Sequence, residues 1–335
     1  YIQVMNREQK ALNLNAYEAI TGEFKATLLS ESNPHFLEPN QPIIFLDNHR
    51  FIYTTDNRDG YYNLYLYSLK TNTLTRITRV NADVEYLTHD AQHIYYYSFE
   101  VSPAERHLFR VNITSGKVTR LTHAEGWHTC QLSPDKRHFT DNYSSLNVPR
   151  VVAVGSTDGR LYREVFRADD PCQDYNFAPI ELGTIRSADG KYDNHYRLIR
   201  PLDFDSTKQY PVILYVYGGP HTQLVRNSYQ GYLRRWEMYM AQRGYIVFVM
   251  DNRGTPNHGA DYARAIHRQC GVVEMQDQMA GMEWLMSHSW VDKDRIGVHG
   301  WSYGGFMTIS LMTNYPDIFK VGVAGGPVID WKWYE

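Results

Sequence analysis

Ser302 sits in Gly300-Trp301-Ser302-Tyr303-Gly304, a G-x-S-x-G spacing. That spacing lifts a serine on a sharp strand-to-helix turn and presents its hydroxyl as a nucleophile for acyl transfer. The backbone N–H of the next residue, Tyr303, is one expected donor to the oxyanion that develops. A second donor should come from the loop after an upstream strand, here Tyr217-Gly218-Gly219-Pro220, where the Tyr217 hydroxyl is a candidate. A strand-end tyrosine satisfied by solvent reads equally well from the residues alone. A serine hydroxyl also needs a base within hydrogen-bond reach. In this fold type the partners follow the serine as Asp or Glu, then His. The chain has 14 histidines and none follows Ser302. His221, His258, His267, His288 and His299 all precede it, so chain order gives them surface or packing roles.

Three fixed Gly and Ser positions recur by chance in about one chain in ten of this size, so the flanking elements decide. Upstream, Asp294 to His299 is a short apolar run that reads as a strand; downstream, Phe306 to Tyr315 reads as a helix stopped by Pro316. Further back, strands and helices alternate. Pro211 to Tyr217 and Tyr245 to Met250 are buried strands; Tyr232 to Arg243 is a helix stopped by Gly244. Glu274 to Ser287 is a second helix, with Met275, Met279, Met282, Leu285 and Met286 on or near one face. Leu182 to Arg200 reads as two strands around the turn Ala188-Asp189-Gly190. Such alternation predicts a parallel sheet covered by helices on both faces.

The first half has another texture. Asn63 to Thr78 aligns with His107 to Thr122, each an alternating strand, a two-residue turn and a second alternating strand. The same turn recurs at Thr21-Gly22-Glu23-Phe24 and Asp158-Gly159-Arg160-Leu161. Gly22, Asn72, Gly116 and Gly159 would supply the positive φ that hairpin turns need. A spacing in the forties, with hairpins and no helical period, predicts β-propeller blades, about four of them here. A β-sandwich with chance similarity is the alternative. The resulting division is residues 1–178 as part of a β-propeller and 179–335 as an α/β-hydrolase domain.

Composition bounds the function classes. At 335 residues the chain holds two domains; 43% hydrophobic and 21% charged residues are ordinary for a globular protein. A net charge of −3 points away from nucleic acid as a partner. No apolar run approaches the ~20 residues a membrane span needs. Cys130, Cys172 and Cys270 are too few and too scattered for a disulfide framework or a zinc site, and no cofactor motif is present.

Gly300-Trp-Ser-Tyr-Gly-Gly305, Tyr217-Gly-Gly-Pro220 and Asp251-Asn-Arg-Gly254 together resemble the prolyl oligopeptidase clan, its dipeptidyl peptidase IV subfamily above all. Val321 to Trp331, running on to Tyr334-Glu335, resembles the bacterial prolyl tripeptidyl peptidases in particular. The resemblance implies a serine exopeptidase, with no cofactor, that acts on peptides with proline near the N-terminus. It implies Ser302 as nucleophile, Tyr217 and the Tyr303 N–H as oxyanion donors, and Tyr303, Val328, Trp331 and Tyr334 as the proline pocket. Glu335 would hold the substrate's free amino group and so favour tripeptide over dipeptide release. It further implies a triad Asp and His beyond Glu335, more blades and an amine-binding glutamate before Tyr1, and hence an inactive segment when taken alone. A homodimer and a periplasmic or cell-surface location belong to the same expectation. Two other readings remain: a peptide- or partner-binding propeller with a degenerate hydrolase half, and an acyl-peptide hydrolase or esterase on this scaffold.

Overall fold

The structure, a computed structural model, describes residues 1–333. Tyr334 and Glu335 lie outside the described residues. The chain divides into two compact units, one of Tyr1–Val101, Leu108–Leu121 and Asn257–Asp261, the other of Ser102–His107, Thr122–Pro256 and everything from Tyr262 on.

The first unit is built from antiparallel sheets. β1 (Ile2–Met5), β2 (Ala11–Tyr17) and β3 (Phe24–Ser32) form a three-stranded sheet. β4 (Ile44–Asp47), β5 (Arg50–Thr55), β6 (Asn63–Ser68) and β7 (Thr73–Arg76) form a four-stranded one. β8 (Val84–His89), β9 (His93–Ser98), β10 (His107–Asn112) and β11 (Val118–Arg120) form another. Each is a meander of neighbouring strands, the pattern of a propeller blade. Apolar cores lie between successive sheets: Leu12, Leu14, Phe51, Tyr53 and Tyr67 in one, Ile52, Leu64, Val84, Ile94, Tyr96 and Phe109 in the next. Tyr53 and Tyr67 bring area to the first of these cores and find partners for their hydroxyls, Tyr67 on the Leu28 carbonyl at 2.9 Å. Tyr53 donates to the buried carboxylate of Glu31 at 3.1 Å. Asn257–Asp261 joins this unit late in the sequence, with the Gly259 N–H on Asp83 at 3.0 Å and the Ala260 N–H on the Gly60 carbonyl at 2.8 Å.

The aligned repeats close on themselves. Thr78, the last residue of one repeat, donates to Asn63, its first, at 2.7 Å, and receives the Leu64 N–H at 2.8 Å. In the other repeat Thr122 and His107 stand in the same relation at 3.4 Å. The turns are longer than the two residues expected, 69–72 and 113–117, because the Asn112 side chain draws the N–H groups of Thr114 and Ser115 into a turn of its own (3.1 and 2.8 Å). Gly22, Asn72, Gly116 and Gly159 all have positive φ, as the alignment required.

The second unit opens with a four-stranded sheet of the same kind, β12 (Trp127–Leu132), β13 (His138–Ser145), β14 (Val148–Ser156) and β15 (Tyr162–Arg167). There follow β16 (Ile180–Arg186), β17 (Asp193–Ile199), β18 (Tyr210–Tyr215), α1 (Arg235–Gln242), β19 (Ile246–Met250), α2 (Ala260–Arg264), α3 (Val273–Met286), β20 (Val291–Trp301), α4 (Tyr303–Asn314) and β21 (Phe319–Gly325). The six strands make one sheet in the order β16-β17-β19-β18-β20-β21. It is not wholly parallel: β17 runs antiparallel to both β16 and β19, and only β19, β18, β20 and β21 are parallel. The short 188–190 turn makes β16 and β17 a hairpin, and a hairpin is necessarily antiparallel. Met279, Met282 and Leu285 of α3 and Met307 and Leu311 of α4 cover one face; Met238 and Ala241 of α1 cover the other. α1 starts at Arg235 rather than Tyr232, because Gln230, Gly231 and Tyr232 all have φ between 54° and 63° and cannot begin a right-handed helix.

Candidate active site at the head of helix α4

β20 ends at Trp301 and α4 begins at Tyr303, so the whole reversal falls on Ser302, with φ 60° and ψ −116°. A non-glycine residue held there costs roughly 1–3 kcal/mol and persists only where its surroundings impose it. Those surroundings are backbone. A Cβ on Gly304 would come within 2.2 Å of the Val216 carbonyl oxygen; one on Gly300 would lie 2.3 Å from that of Gly304 and 2.4 Å from that of Val216. The Ser302 N–H donates to the Gly325 carbonyl at 2.8 Å, tying the turn to β21. The result is an exposed serine at the carboxyl edge of the sheet. Among the described residues its hydroxyl has no hydrogen-bond partner. Tyr303 is the first residue of α4, and its N–H is one of the four that a helix leaves without an internal acceptor.

The Tyr217-Gly218-Gly219-Pro220 loop leaves β18 beside this turn. The Val216 N–H still pairs with the His299 carbonyl at 2.9 Å. Gly218 has φ 76°, and a Cβ on Gly219 would stand 2.5 Å from the Tyr303 ring, so the loop lies flat on that ring because it has no side chains there. The Tyr217 ring, half-buried, has its centroid 6.0 Å from that of Tyr303. Among the described residues the Tyr217 hydroxyl has no hydrogen-bond partner.

What fixes the loop is the stretch after β19, whose partners are far away in sequence. Asn252 donates to the Gly218 carbonyl at 3.0 Å and is itself held by Gln278 at 2.9 Å. The Asp251 carboxylate receives the N–H groups of Leu224 and Val225 at 2.8 and 2.9 Å, and burial pushes its pKa up to about 7. Arg253 grips Asp277 of α3 with both ends of its fork and reaches Asp189 at 3.0 Å. Asp251 and Asn252 thus hold both ends of the segment running from Gly218 to Val225.

On the other side of the turn Tyr303 is 6% exposed. Its ring packs on Trp331 (5.2 Å between centroids) and edge-on against Phe306 (5.5 Å), and Phe306 meets Trp331 at 5.2 Å. The Tyr303 hydroxyl donates to the buried Glu274 carboxylate, which also receives the Gly271 N–H at 2.9 Å. Burial raises the pKa of both groups. The structure therefore brings Ser302, Tyr217, Tyr303 and Trp331 together. Val328 is half-buried between Gly325 and Trp331. Tyr334 and Glu335 lie outside the described residues. Phe306, Glu274 and Asp277 are additions that sequence reading missed; Asn252 stood there only within the motif Asp251-Asn-Arg-Gly254, with no role given to it. Two nearby histidines are packing residues. His299 stands between Tyr215 and Trp236 with Nδ1 2.8 Å from the Val323 carbonyl, and His288 between Trp284 and Trp290. Among the described residues there is no cluster of potential metal ligands and no helix long and apolar enough to cross a membrane.

Comparison with known proteins agrees with this geometry. Residues 232–335 match the prolyl oligopeptidase family, and residues 1–150 match the dipeptidyl peptidase IV N-terminal region. Human dipeptidyl peptidase 8 is 33% identical over 254 residues, 72% of this chain and 28% of the relative. A Bacteroides ovatus protein assigned to dipeptidyl aminopeptidase IV superposes with a TM-score of 0.94 at 39% identity over 99% of this chain and 50% of that one. Porphyromonas gingivalis dipeptidyl peptidase 4 gives 0.89 at 30% identity over 99% and 48%. The chain spans about half the length of these solved relatives and about a quarter of the human one. The fold is a run of β-propeller blades followed by the N-terminal part of an α/β-hydrolase domain.

Proposed function

The chain belongs to the prolyl oligopeptidase family, in its dipeptidyl peptidase IV branch, and from that premise we propose that Ser302 is the acylating residue of a serine exopeptidase that releases N-terminal tripeptides or dipeptides after proline. Ser302 Oγ attacks the carbonyl carbon of the proline residue and gives up its proton to a base. The carbonyl oxygen becomes an oxyanion held by the Tyr303 N–H and the Tyr217 hydroxyl. Collapse expels the amine of the leaving peptide and leaves an ester on Ser302, which water then hydrolyses. The observation that carries this reading is the backbone of Ser302, φ 60° and ψ −116°, between glycines that admit no side chain. Nothing about packing requires a strained, exposed serine there; presenting a nucleophile does.

Proline specificity is assigned to an aromatic pocket of Tyr303, Trp331, Val328 and Tyr334. A flat pyrrolidine ring offers area and no N–H, which aromatic walls suit. Support comes from the packing of Tyr303, Phe306 and Trp331 into one wall. Glu335 is assigned to the substrate's free amine, where it would set tripeptide against dipeptide release. Residues 1–335 alone should be inert, since among the described residues no group is poised to take the Ser302 proton; a homodimer is part of the same proposal. The test uses the full-length product of the reading frame that encodes this chain, with Ala-Ala-Pro and Gly-Pro anilides. Turnover that disappears in Ser302→Ala is expected. Turnover that survives this substitution, or turnover by residues 1–335 alone, contradicts the reading.

A further inference from the structure

Tyr303 is one wall of the proposed proline pocket, and a carboxylate stands behind that wall. Glu274 lies in the first turn of α3 and is fully buried. It receives the Tyr303 hydroxyl, the Gly271 N–H at 2.9 Å and its own backbone N–H. Among the described residues no cation pairs with it. Two other buried carboxylates of this unit are answered by guanidinium groups, Asp277 by Arg253 at 2.7 Å and Glu237 by Arg197 at 2.7 Å. A buried carboxylate left without a cation is costly, and burial raises the pKa of Glu274 accordingly. The N-terminus of α3 offsets part of that cost. A neutral side chain would avoid it altogether, so packing gives no reason for the charge.

The Tyr303 hydroxyl supplies a reason. A phenol that donates to a carboxylate makes a charge-assisted bond, roughly twice as strong as a neutral one. That bond fixes the ring at its far end, while helix α4 fixes it at Cα. The Cys270 thiol lies beside the same hydroxyl, and a thiol is a far weaker acceptor than a carboxylate. The support extends to the rest of the wall. A Cβ on Gly271 would stand 2.6 Å from the Phe306 ring, and Phe306 packs on both Tyr303 and Trp331. The charge also acts on the ring itself. The face of an aromatic ring is its negative part, and a carboxylate at the hydroxyl makes it more so. The C–H bonds of a pyrrolidine ring, next to an amide nitrogen, carry the complementary positive charge.

We infer that Glu274 is a positioning residue for proline recognition: through the Tyr303 hydroxyl it holds the Tyr303 ring in place and enriches its face for the pyrrolidine of the substrate. The inference rests on the aromatic pocket assigned above. Tyr303 also offers its backbone N–H to the oxyanion, and a displaced N–H slows every substrate alike. The measure is therefore a ratio between two substrates, in which that loss cancels.

The test again uses the full-length product, with Ala-Ala-Pro against Ala-Ala-Ala anilide and Gly-Pro against Gly-Ala anilide. The quantity compared is the ratio of kcat/KM for proline over alanine within each pair, together with the thermal midpoint of each variant. In Glu274→Ala and in Tyr303→Phe the ratio should fall roughly tenfold. Glu274→Gln should lie between these and the wild type, because its one amide oxygen can serve the Tyr303 hydroxyl or the Gly271 N–H but not both. Glu274→Gln combined with Tyr303→Phe should lose no more than Tyr303→Phe alone, since both changes break the same bond. A merely structural carboxylate would lower the thermal midpoint and the turnover of both anilides and leave their ratio unmoved. Should Glu274→Ala not fold, Glu274→Gln decides. A ratio unchanged from wild type in folded Glu274→Gln, or losses that add in full in the double variant, overturns the inference and leaves the peptidase intact. A wild-type protein that turns over proline and alanine anilides equally removes the proline pocket and this inference with it. No turnover of either anilide removes the peptidase reading as well.

Discussion

The residue scale is where sequence was most and least informative. Ser302 was legible because a nucleophile turn has a local grammar of two glycines, a strand and a helix within about a dozen residues. Asp251 was visible only as part of a resemblance, since the groups that give it meaning, the N–H donors of Leu224 and Val225, lie 27 and 26 residues away. Its burial has a measurable consequence. An unfolded Asp titrates near ~4, whereas in the fold Asp251 is pushed up to about 7. Across that window the native state holds a proton that the unfolded chain has released, so the contribution of Asp251 to stability falls as pH rises and levels off above about 7. Urea titrations from pH 4 to 8 should show the wild type losing stability relative to Asp251→Asn as pH increases. A difference that is flat, or that grows with pH, contradicts the assignment. Tyr303 illustrates a shared residue: its N–H faces the turn, its ring floors the loop at Gly219, and its hydroxyl ends on Glu274. Only the first of these roles could be read from the motif.

Among elements, strand and helix types were legible from period, and their ends were not. The serine helix starts at Tyr303 rather than Phe306 because three glycine or aromatic positions with no helical period of their own are pressed against β18 and β21. The β16–β17 hairpin runs antiparallel to the rest of the sheet, which buried-strand patterning cannot reveal. The tight contact between β18, β20 and α4 has a sharp test. In Gly304→Ala the new methyl would sit 2.2 Å from the Val216 carbonyl oxygen, and that oxygen belongs to buried backbone just past the end of β18. The helix must move out, at a cost of about 1–3 kcal/mol, and the Ser302 turn moves with it. Chemical denaturation should place this variant below the wild type by that amount or more. An alanine tolerated without loss would mean that the helix is not seated as described.

For the molecule as a whole, the repeat of 44 residues between Asn72 and Gly116 was enough to predict blades, because each repeat closes through its own first and last side chains. The contribution of Asn257–Asp261 to the first unit left no trace in the sequence, since it depends on Gly259 and Ala260 meeting Asp83 and Gly60 nearly 200 residues earlier. The account stands or falls on what is released. Mass spectrometry of the products that the full-length protein makes from peptides with proline second or third, free or acetylated at the N-terminus, is the direct measurement. The account predicts dipeptides or tripeptides ending in proline, from free N-termini only, and none from the Ser302→Ala variant. Cleavage elsewhere, cleavage of acetylated peptides at the same rate, or products that persist without the Ser302 hydroxyl would contradict it.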